Sequence, residues 1–180
     1  MGYAGGRKVD PTYRSMGDHT ETTQVDLNPA LISYEEVLRH VWASHDPRRN
    51  HFSRQYLNAI FWSGEAQQAA ALETMAEVQA RLGREVKTVI APLERFYPAE
   101  DYHQKYYLRG HPALLGEFQR AGYDDARFRE SRVAARLNGY VSGFGQMAKL
   151  ERELPSFGLS ASAEAVLRRV VEEGSGASCG

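Results

Sequence analysis

Residues 56–93 read YLNAIFW-SGEAQQAAALETMAEVQARL-GREVKTVIAPL, and this stretch decides the class of fold. The segment 56–62 is rich in aromatic and branched residues, which predicts a strand. A second strand is predicted over 86–93, where Pro92 favours a place at a sheet edge. Between them, residues 64–82 are rich in Ala, Gln and Glu and carry an apolar stripe, and Gly83 suits a helix C-cap. The stretch therefore predicts a strand, a helix and a strand.

The residues before this stretch add another strand and another helix. Residues 20–27 (TETTQVDL) are β-branched with partial alternation, which predicts a strand. Ser33 and Glu36 form an S-x-x-E capping box, and the helix that they start is predicted to end near His45. Residues 1–18 are rich in Gly and are predicted to be loop and turn. The order strand, helix, strand, helix, strand is typical of a two-layer α+β or α/β domain.

From Ala99 onward, the sequence pattern predicts helices. Candidate helices lie at 99–108, 113–120, 125–137 and 161–173. The last residues are rich in Gly and Ser and contain Cys179, the single cysteine of the 180-residue chain. We expect a domain over 1–110, a helical extension of it over 111–173, and a flexible tail over 174–180.

Composition excludes several classes of function. The 22 Lys and Arg residues nearly balance the 23 Asp and Glu residues, so a nucleic acid is not the expected partner. No run approaches the ~18 apolar residues of a membrane span, and no signal peptide is visible at the N-terminus. One cysteine cannot form an internal disulfide framework, which favours a reducing, cytoplasmic location. We expect a monomer.

Three polar residues in the first part of the chain are candidates for chemistry. Tyr13 and Glu21 lie at a predicted junction of loop and strand, and Tyr56 lies at the start of a predicted strand. A carboxyl group that is buried beside aromatic rings stays protonated near neutral pH and can donate a proton. The alternative interpretation is a turn tyrosine, a solvated glutamate and a packing tyrosine.

The aromatic segment 96–107 suggests a different chemistry. Glu100 and His103 are spaced i, i+3, as in half of a di-iron carboxylate site, and His19 could supplement them. The sequence contains no second E-x-x-H motif, and acidic residues also suit a helix N-terminus. We therefore expect no metal, and a metal-dependent enzyme that uses Glu100 and His103 remains an alternative hypothesis. Cys179 is either an incidental surface thiol or a thiol that reaches a partner sulfur.

Seven motifs occur in one order along the chain: GYAGG at 2–6, PTY at 11–13, HTE at 19–21, ISYEEVL at 32–38 with Trp42, HDP at 45–47, QY at 55–56, and FYPAEDYHQ at 96–104. Together they resemble peptide methionine sulfoxide reductase A over residues 2 to about 107. The segment RLNGYVSG at 136–143 is similar to an insect-type branch with a longer helical C-terminus. The resemblance implies an α+β fold, a ferredoxin-like two-layer αβ sandwich with a helical C-terminal extension.

The resemblance also implies a thiol-dependent reaction of protein repair under oxidative stress. In this family a cysteine thiolate attacks the sulfur of methionine S-sulfoxide, free or in proteins, and becomes a sulfenic acid. A second cysteine condenses with it, and thioredoxin or another dithiol reduces the disulfide, with no other cofactor. By motif position, Glu21 resembles the acid that protonates the sulfoxide oxygen, and Tyr13 and Tyr56 resemble assisting phenols. Tyr140 resembles a tail tyrosine that closes the substrate pocket, and Cys179 resembles the resolving cysteine.

The chain departs from the family pattern in three places, one of which is the tail, where the family's Gly-Tyr-Cys-Gly is replaced by GYVS at 139–142 without a thiol. The family's nucleophile lies in a Gly-Cys-Phe-Trp motif that would precede Gly2, so we expect a chain that is shortened before this motif. Such a chain lacks the first strand and helix and is inactive alone, and an organelle-targeting peptide would be lost with that segment. The loop 50–54 also lacks an Asp that many members carry there. A non-catalytic binding remnant of the fold is the alternative interpretation.

Overall fold

The computed structural model describes residues 1–176, and its chain divides into two compact units, Met1–Glu100 and a second that begins at Asp101. The first unit contains all five strands of the described residues. They are β1 (Gly2–Ala4), β2 (Thr20–Thr22), β3 (Ala59–Trp62), β4 (Val89–Pro92) and β5 (Phe96–Pro98). Its two α-helices are α1 (Tyr34–Ala43) and α2 (Glu65–Leu82).

Three of the strands form an antiparallel sheet in the order β2-β1-β5. The prediction of loop for residues 1–18 is therefore wrong at 2–4, where β1 occupies the centre of this sheet. A Cβ on Gly2 would lie 2.3 Å from the Phe96 ring and 2.4 Å from the Tyr97 carbonyl oxygen. The glycine that suggests a loop in the sequence is thus required by the close approach of β5.

The stretch that opens the sequence argument folds as a strand, a helix and a parallel strand. β3 pairs with β4, both strands begin three residues later than predicted, and α2 lies against them. Gly83 adopts the left-handed conformation, with φ 61° and ψ 23°, and ends α2 as expected. α1 begins with the predicted capping box between Ser33 and Glu36. The predicted α+β class is confirmed in this unit.

The first unit has two groups of buried apolar residues. The larger group joins α1, α2 and β3, and its members include Leu38, Trp42, Ile60, Ala71 and Val78. Within it, the Trp42 indole N–H donates to the Thr74 hydroxyl across 3.0 Å, and both residues are buried. The smaller group consists of Tyr3, Met16 and Ala99, beside the three-stranded sheet.

The second unit is helical in all its described residues that have regular structure. Its α-helices are α3 (Tyr106–Arg109), α4 (Pro112–Arg120), α5 (Asp125–Glu130), α6 (Arg132–Gly139), α7 (Met147–Glu153) and α8 (Ala161–Gly176). A short 3-10 turn at Asp101–His103 replaces the start of the predicted helix over 99–108. The predicted helix over 125–137 is two helices, because Ser131 leaves the helical conformation and caps α6 through Ala134 N–H. α7 and the π-helical turn Tyr140–Phe144 were not predicted.

One continuous apolar core fills the helical unit. Five of its leucines have no exposed surface: Leu108, Leu114, Leu137, Leu150 and Leu167. None of the helices within residues 1–176 is long and apolar enough to cross a membrane.

Candidate active site

Glu21 lies in β2, where the sheet places it opposite Tyr3 of β1. Its neighbour Thr20 is buried and donates its hydroxyl proton to the Arg54 carbonyl oxygen across 2.8 Å. Arg54 begins the 3-10 turn Arg54–Tyr56, so this hydrogen bond fixes the turn against β2. Residues 54–56 were predicted to lead directly into a strand. The structure instead gives them a turn of their own, and the strand begins at Ala59.

The Gln55 side chain bridges from this turn to Glu21. Its amide Nε2 donates to Glu21 Oε1 across 2.6 Å, and both residues are half-buried. The sequence argument quoted Gln55 only as part of a motif and gave it no role. Its position beside Tyr56 was the available signal, but the bond itself joins segments 34 residues apart.

Tyr13 and Tyr56 meet beside Glu21. Desolvation raises the pKa of Tyr56, and the nearby Tyr13 and Glu21 raise it further. A hydrogen bond between the two phenols also raises this pKa, while a hydrogen bond from the Gln55 side chain lowers it. The structure thus brings together Glu21, Tyr13 and Tyr56, three of the five residues that the sequence nominates. The roles assigned to them stay predictions.

Glu100 holds the Tyr13 segment in place. Its carboxylate accepts a hydrogen bond from the Tyr3 hydroxyl across 2.6 Å and one from the Tyr13 backbone N–H across 2.9 Å. Glu100 directly precedes the 3-10 turn Asp101–His103, which occupies the place of the start of the predicted helix over 99–108. Because the Glu100 carboxylate accepts both hydrogen bonds, it fixes the loop that contains Tyr13.

His19, the proposed supplement to a metal site, is also part of this framework. It is buried, its Nδ1 accepts from the Gly6 N–H across 3.1 Å, and its Nε2 donates to the Lys8 carbonyl oxygen across 2.8 Å. Both ring nitrogens are therefore used in backbone contacts. Over the described residues, 1–176, no group of three or more His, Cys, Asp or Glu side chains is arranged to hold a metal ion.

The loop before Gln55 is fixed by Asn50 rather than by a carboxylate. Asn50 Nδ2 donates to the carbonyl oxygens of Asn58 and Lys87, and its Oδ1 accepts from the Asn58 N–H. Since these contacts lie at the starts of β3 and β4, Asn50 connects the loop to the parallel sheet. Phe52 in the same loop is fully exposed.

A cavity of about 670 Å³ opens beside Glu21. Its wall combines the Glu21 carboxyl with apolar side chains from α1, β3 and β5, among them Val37, Phe61 and Phe96. Polar groups come from β2 and the segment after it, including Thr22 and Gln24, and they form about half of the wall. Small-molecule sites are cavities in which apolar walls meet convergent polar groups.

Tyr140 belongs to the helical unit, and its hydroxyl is engaged there. The side chain is 4% exposed, and the hydroxyl donates to Glu153 Oε2 across 2.9 Å. Arg136 forms an ion pair with the same carboxylate. The pKa of Tyr140 is raised, by burial first and by Glu153 next. Its role in closing a pocket stays a prediction, and Cys179 lies outside the described residues.

Comparisons with known proteins agree on one family. The model of the family "Peptide methionine sulfoxide reductase" matches residues 1–134, and that of "Selenoprotein methionine sulfoxide reductase A, helical domain" matches residues 122–172. A peptide methionine sulfoxide reductase of Drosophila melanogaster is 40% identical over 89% of the chain, and peptide methionine sulfoxide reductase A5 of Oryza sativa is 40% identical over 79%. The chain spans 65% and 58% of the lengths of these two relatives.

Solved structures show the same likeness. Methionine sulfoxide reductase A of Corynebacterium diphtheriae is similar with 32% identity and a TM-score of 0.53, over 62% of each chain. Reduced Mxr1 of Saccharomyces cerevisiae is similar with 29% identity and a TM-score of 0.55, over 62% of this chain and 69% of that chain.

Proposed function

This chain belongs to the family of peptide methionine sulfoxide reductases, and from that premise we propose that Glu21, Tyr13 and Tyr56 bind the oxygen of methionine sulfoxide and protonate it. The observation that carries the proposal is the cluster in which Gln55 contacts Glu21 and the two phenols contact each other. Glu21 also lines a cavity whose wall includes apolar side chains from α1, β3 and β5. Such side chains suit the methyl and methylene groups on either side of the sulfoxide sulfur.

The reaction needs a proton donor because the sulfoxide oxygen is a poor leaving group until it is protonated. A thiolate attacks the sulfoxide sulfur, Glu21 in its acid form protonates the oxygen, and oxygen transfers to the thiol sulfur. The products are the thioether of methionine and a sulfenic acid. A second thiol condenses with the sulfenic acid to a disulfide and releases water, and an external dithiol reduces the disulfide. The tyrosine hydroxyls stabilise the charge that develops on oxygen.

The thiols of this reaction lie outside the residues that the structure describes. Cys179 is the single cysteine of the 180 residues, and the two-thiol reaction requires one attacking and one resolving sulfur. We assign Cys179 the resolving role, because a thiol near a Gly- and Ser-rich end can reach over to a second sulfur. Thioredoxin or another dithiol is the proposed reductant, methionine S-sulfoxide, free or in proteins, is the proposed substrate, and the cytoplasm is the proposed location.

A binding measurement tests the proton-donating part of the site without requiring turnover. We expect N-acetylmethionine sulfoxide amide to bind the 180-residue chain more tightly than the matching thioether, because only the sulfoxide accepts a hydrogen bond from Glu21. This preference should be stronger at acidic than at neutral pH, since the acid form of a carboxyl is the donor. Equal affinity for sulfoxide and thioether, or a preference that does not change with pH, would contradict the proposal.

Two variants identify the donor and the thiol. In Glu21→Gln the amide is a donor at every pH, so the sulfoxide preference should remain but lose its dependence on pH. In an assay with dithiothreitol, reduction of methionine sulfoxide that persists in Cys179→Ser would contradict the thiol chemistry, because that variant contains no cysteine.

A further inference from the structure

The Gln55 side chain is in direct contact with the carboxyl of Glu21, the proposed acid. Its Nε2 lies 2.6 Å from Glu21 Oε1, and the same side chain forms a hydrogen bond with the Tyr56 hydroxyl. We propose that Gln55 is a positioning residue that occupies Oε1 of Glu21, so that the acid proton is carried by Oε2 and presented to the sulfoxide. This inference rests on the proposed function and adds to it which carboxyl oxygen is the donor.

The assignment follows from the hydrogen-bonding capacity of the two groups. A protonated carboxyl has one O–H donor and one carbonyl oxygen that accepts. The amide nitrogen of Gln55 can only donate, so the oxygen that it contacts must be the accepting one. A proton on Oε1 would face the amide hydrogens at a distance of 2.6 Å between the heavy atoms, which is repulsive. The proton therefore resides on Oε2.

Two contacts in register hold Gln55 at this position. Thr20 donates to the Arg54 carbonyl oxygen, and the next residue on each segment, Glu21 and Gln55, forms the second contact. The Arg54 guanidinium adds hydrogen bonds to the carbonyl oxygens of Asp18 and Gly5, which bind the turn to the segment before β2. The Gln55 amide is thus placed by the hydrogen bonds of the preceding residue, Arg54, and preorganisation of a donor requires such support.

The test compares the binding of two small probes. In Gln55→Met, which keeps the length of the side chain and removes the amide, affinity for N-acetylmethionine sulfoxide amide should fall about 5- to 10-fold, because the carboxyl is no longer held in place. Affinity for the matching thioether should not change, whereas a general structural defect would weaken both.

Gln119→Met is the matched control, because Gln119 is exposed in α4 of the helical unit and does not line the cavity beside Glu21. Gln55→Asn is a second variant, which keeps an amide but shortens the side chain by one methylene. Its risk of misfolding differs from that of Gln55→Met, and it should have the same effect on binding. An unchanged sulfoxide affinity in both Gln55 variants would overturn the inference. If the unmodified chain does not prefer sulfoxide over thioether, the proposed function itself fails.

Discussion

The two units of the chain are stabilised in different ways. In the helical unit, twelve buried residues form one continuous apolar cluster around leucines such as Leu137 and Leu167. In the unit formed by residues 1–100, the buried apolar residues fall into two separate clusters. Four buried polar residues, His19, Thr20, Thr74 and Thr88, lie in this unit as well. The unit that contains the candidate site therefore depends more on specific hydrogen bonds.

This difference shows which kind of interaction positions functional groups. Packing of apolar side chains fixes volumes, but it tolerates substitutions that conserve size. Hydrogen bonds fix the direction in which a donor or acceptor points. Thr20, Gln55 and Glu100 act in this second way, because each connects segments that are distant in sequence and lie beside Glu21 or Tyr13.

The largest expected effect is the loss of packing in the helical unit. Leu137 has no exposed surface, so Leu137→Ala should lower the free energy of unfolding by about 3 kcal/mol through lost burial and a cavity. Urea unfolding followed by circular dichroism measures the change. Leu31→Ala is the control, because Leu31 is 82% exposed and its truncation should change stability by less than about 0.5 kcal/mol. Equal effects of the two substitutions would mean that the cluster around Leu137 does not form.

A smaller effect is expected from one hydrogen bond in the first unit. Thr74→Val keeps the shape of the side chain but removes the acceptor of the Trp42 indole N–H, which lies 3.0 Å away in a buried position. An unsatisfied buried donor costs about 1–3 kcal/mol, and chemical unfolding followed by tryptophan fluorescence should show a loss in this range. Thr74→Ser keeps the hydroxyl and should lose less stability than the valine variant. If serine is the more damaging substitution, the methyl group matters more than the hydrogen bond, and the contrast between the two units weakens.

The parts of the fold that the sequence predicts correctly are those that depend on neighbours in the chain. The capping box of Ser33 and Glu36 and the left-handed Gly83 are determined within a few residues. β1 was missed because Gly2–Ala4 is short and contains glycine, and it is a strand only through pairing with β2 and β5. Backbone pairing between distant segments leaves no periodic pattern in so short a stretch.

The same distinction, between local patterns and contacts of distant segments, holds in the candidate site. Glu21, Tyr13 and Tyr56 could be nominated because the motifs that contain them resemble a known family. The contacts of Gln55 and Glu100 could not be predicted, because they join residues 34 and 87 positions apart. Glu100 was interpreted as a helix-start residue or a metal ligand, and both interpretations considered only its neighbours in sequence.

The smallest expected effect concerns the two phenols, and it tests how closely the site is held together. The pKa of Tyr56 lies above its ordinary value of 10.0, with desolvation as the main cause and Tyr13 as a further one. In Tyr13→Phe this pKa should fall part of the way toward 10.0, because the phenol contact is removed while the desolvation remains. Nuclear magnetic resonance with labelled tyrosine ring carbons resolves Tyr56 from the other tyrosines.

The raised pKa also fixes the sign of the effect on stability. A phenol whose pKa is higher in the folded chain stabilises the fold below pH 10.0, and this contribution is lost as the pH rises through the folded-state value. The loss should therefore begin near pH 10.0 in both proteins, but in Tyr13→Phe it should level off at lower pH and be smaller in extent. Tyr34→Phe is the control, since Tyr34 is not among the groups that shift the pKa of Tyr56. The opposite result would be an unchanged pKa of Tyr56 in Tyr13→Phe and a changed one in Tyr34→Phe. It would mean that the phenols of Tyr13 and Tyr56 do not share a hydrogen bond, and that Tyr13 is not one of the three proton donors of the site.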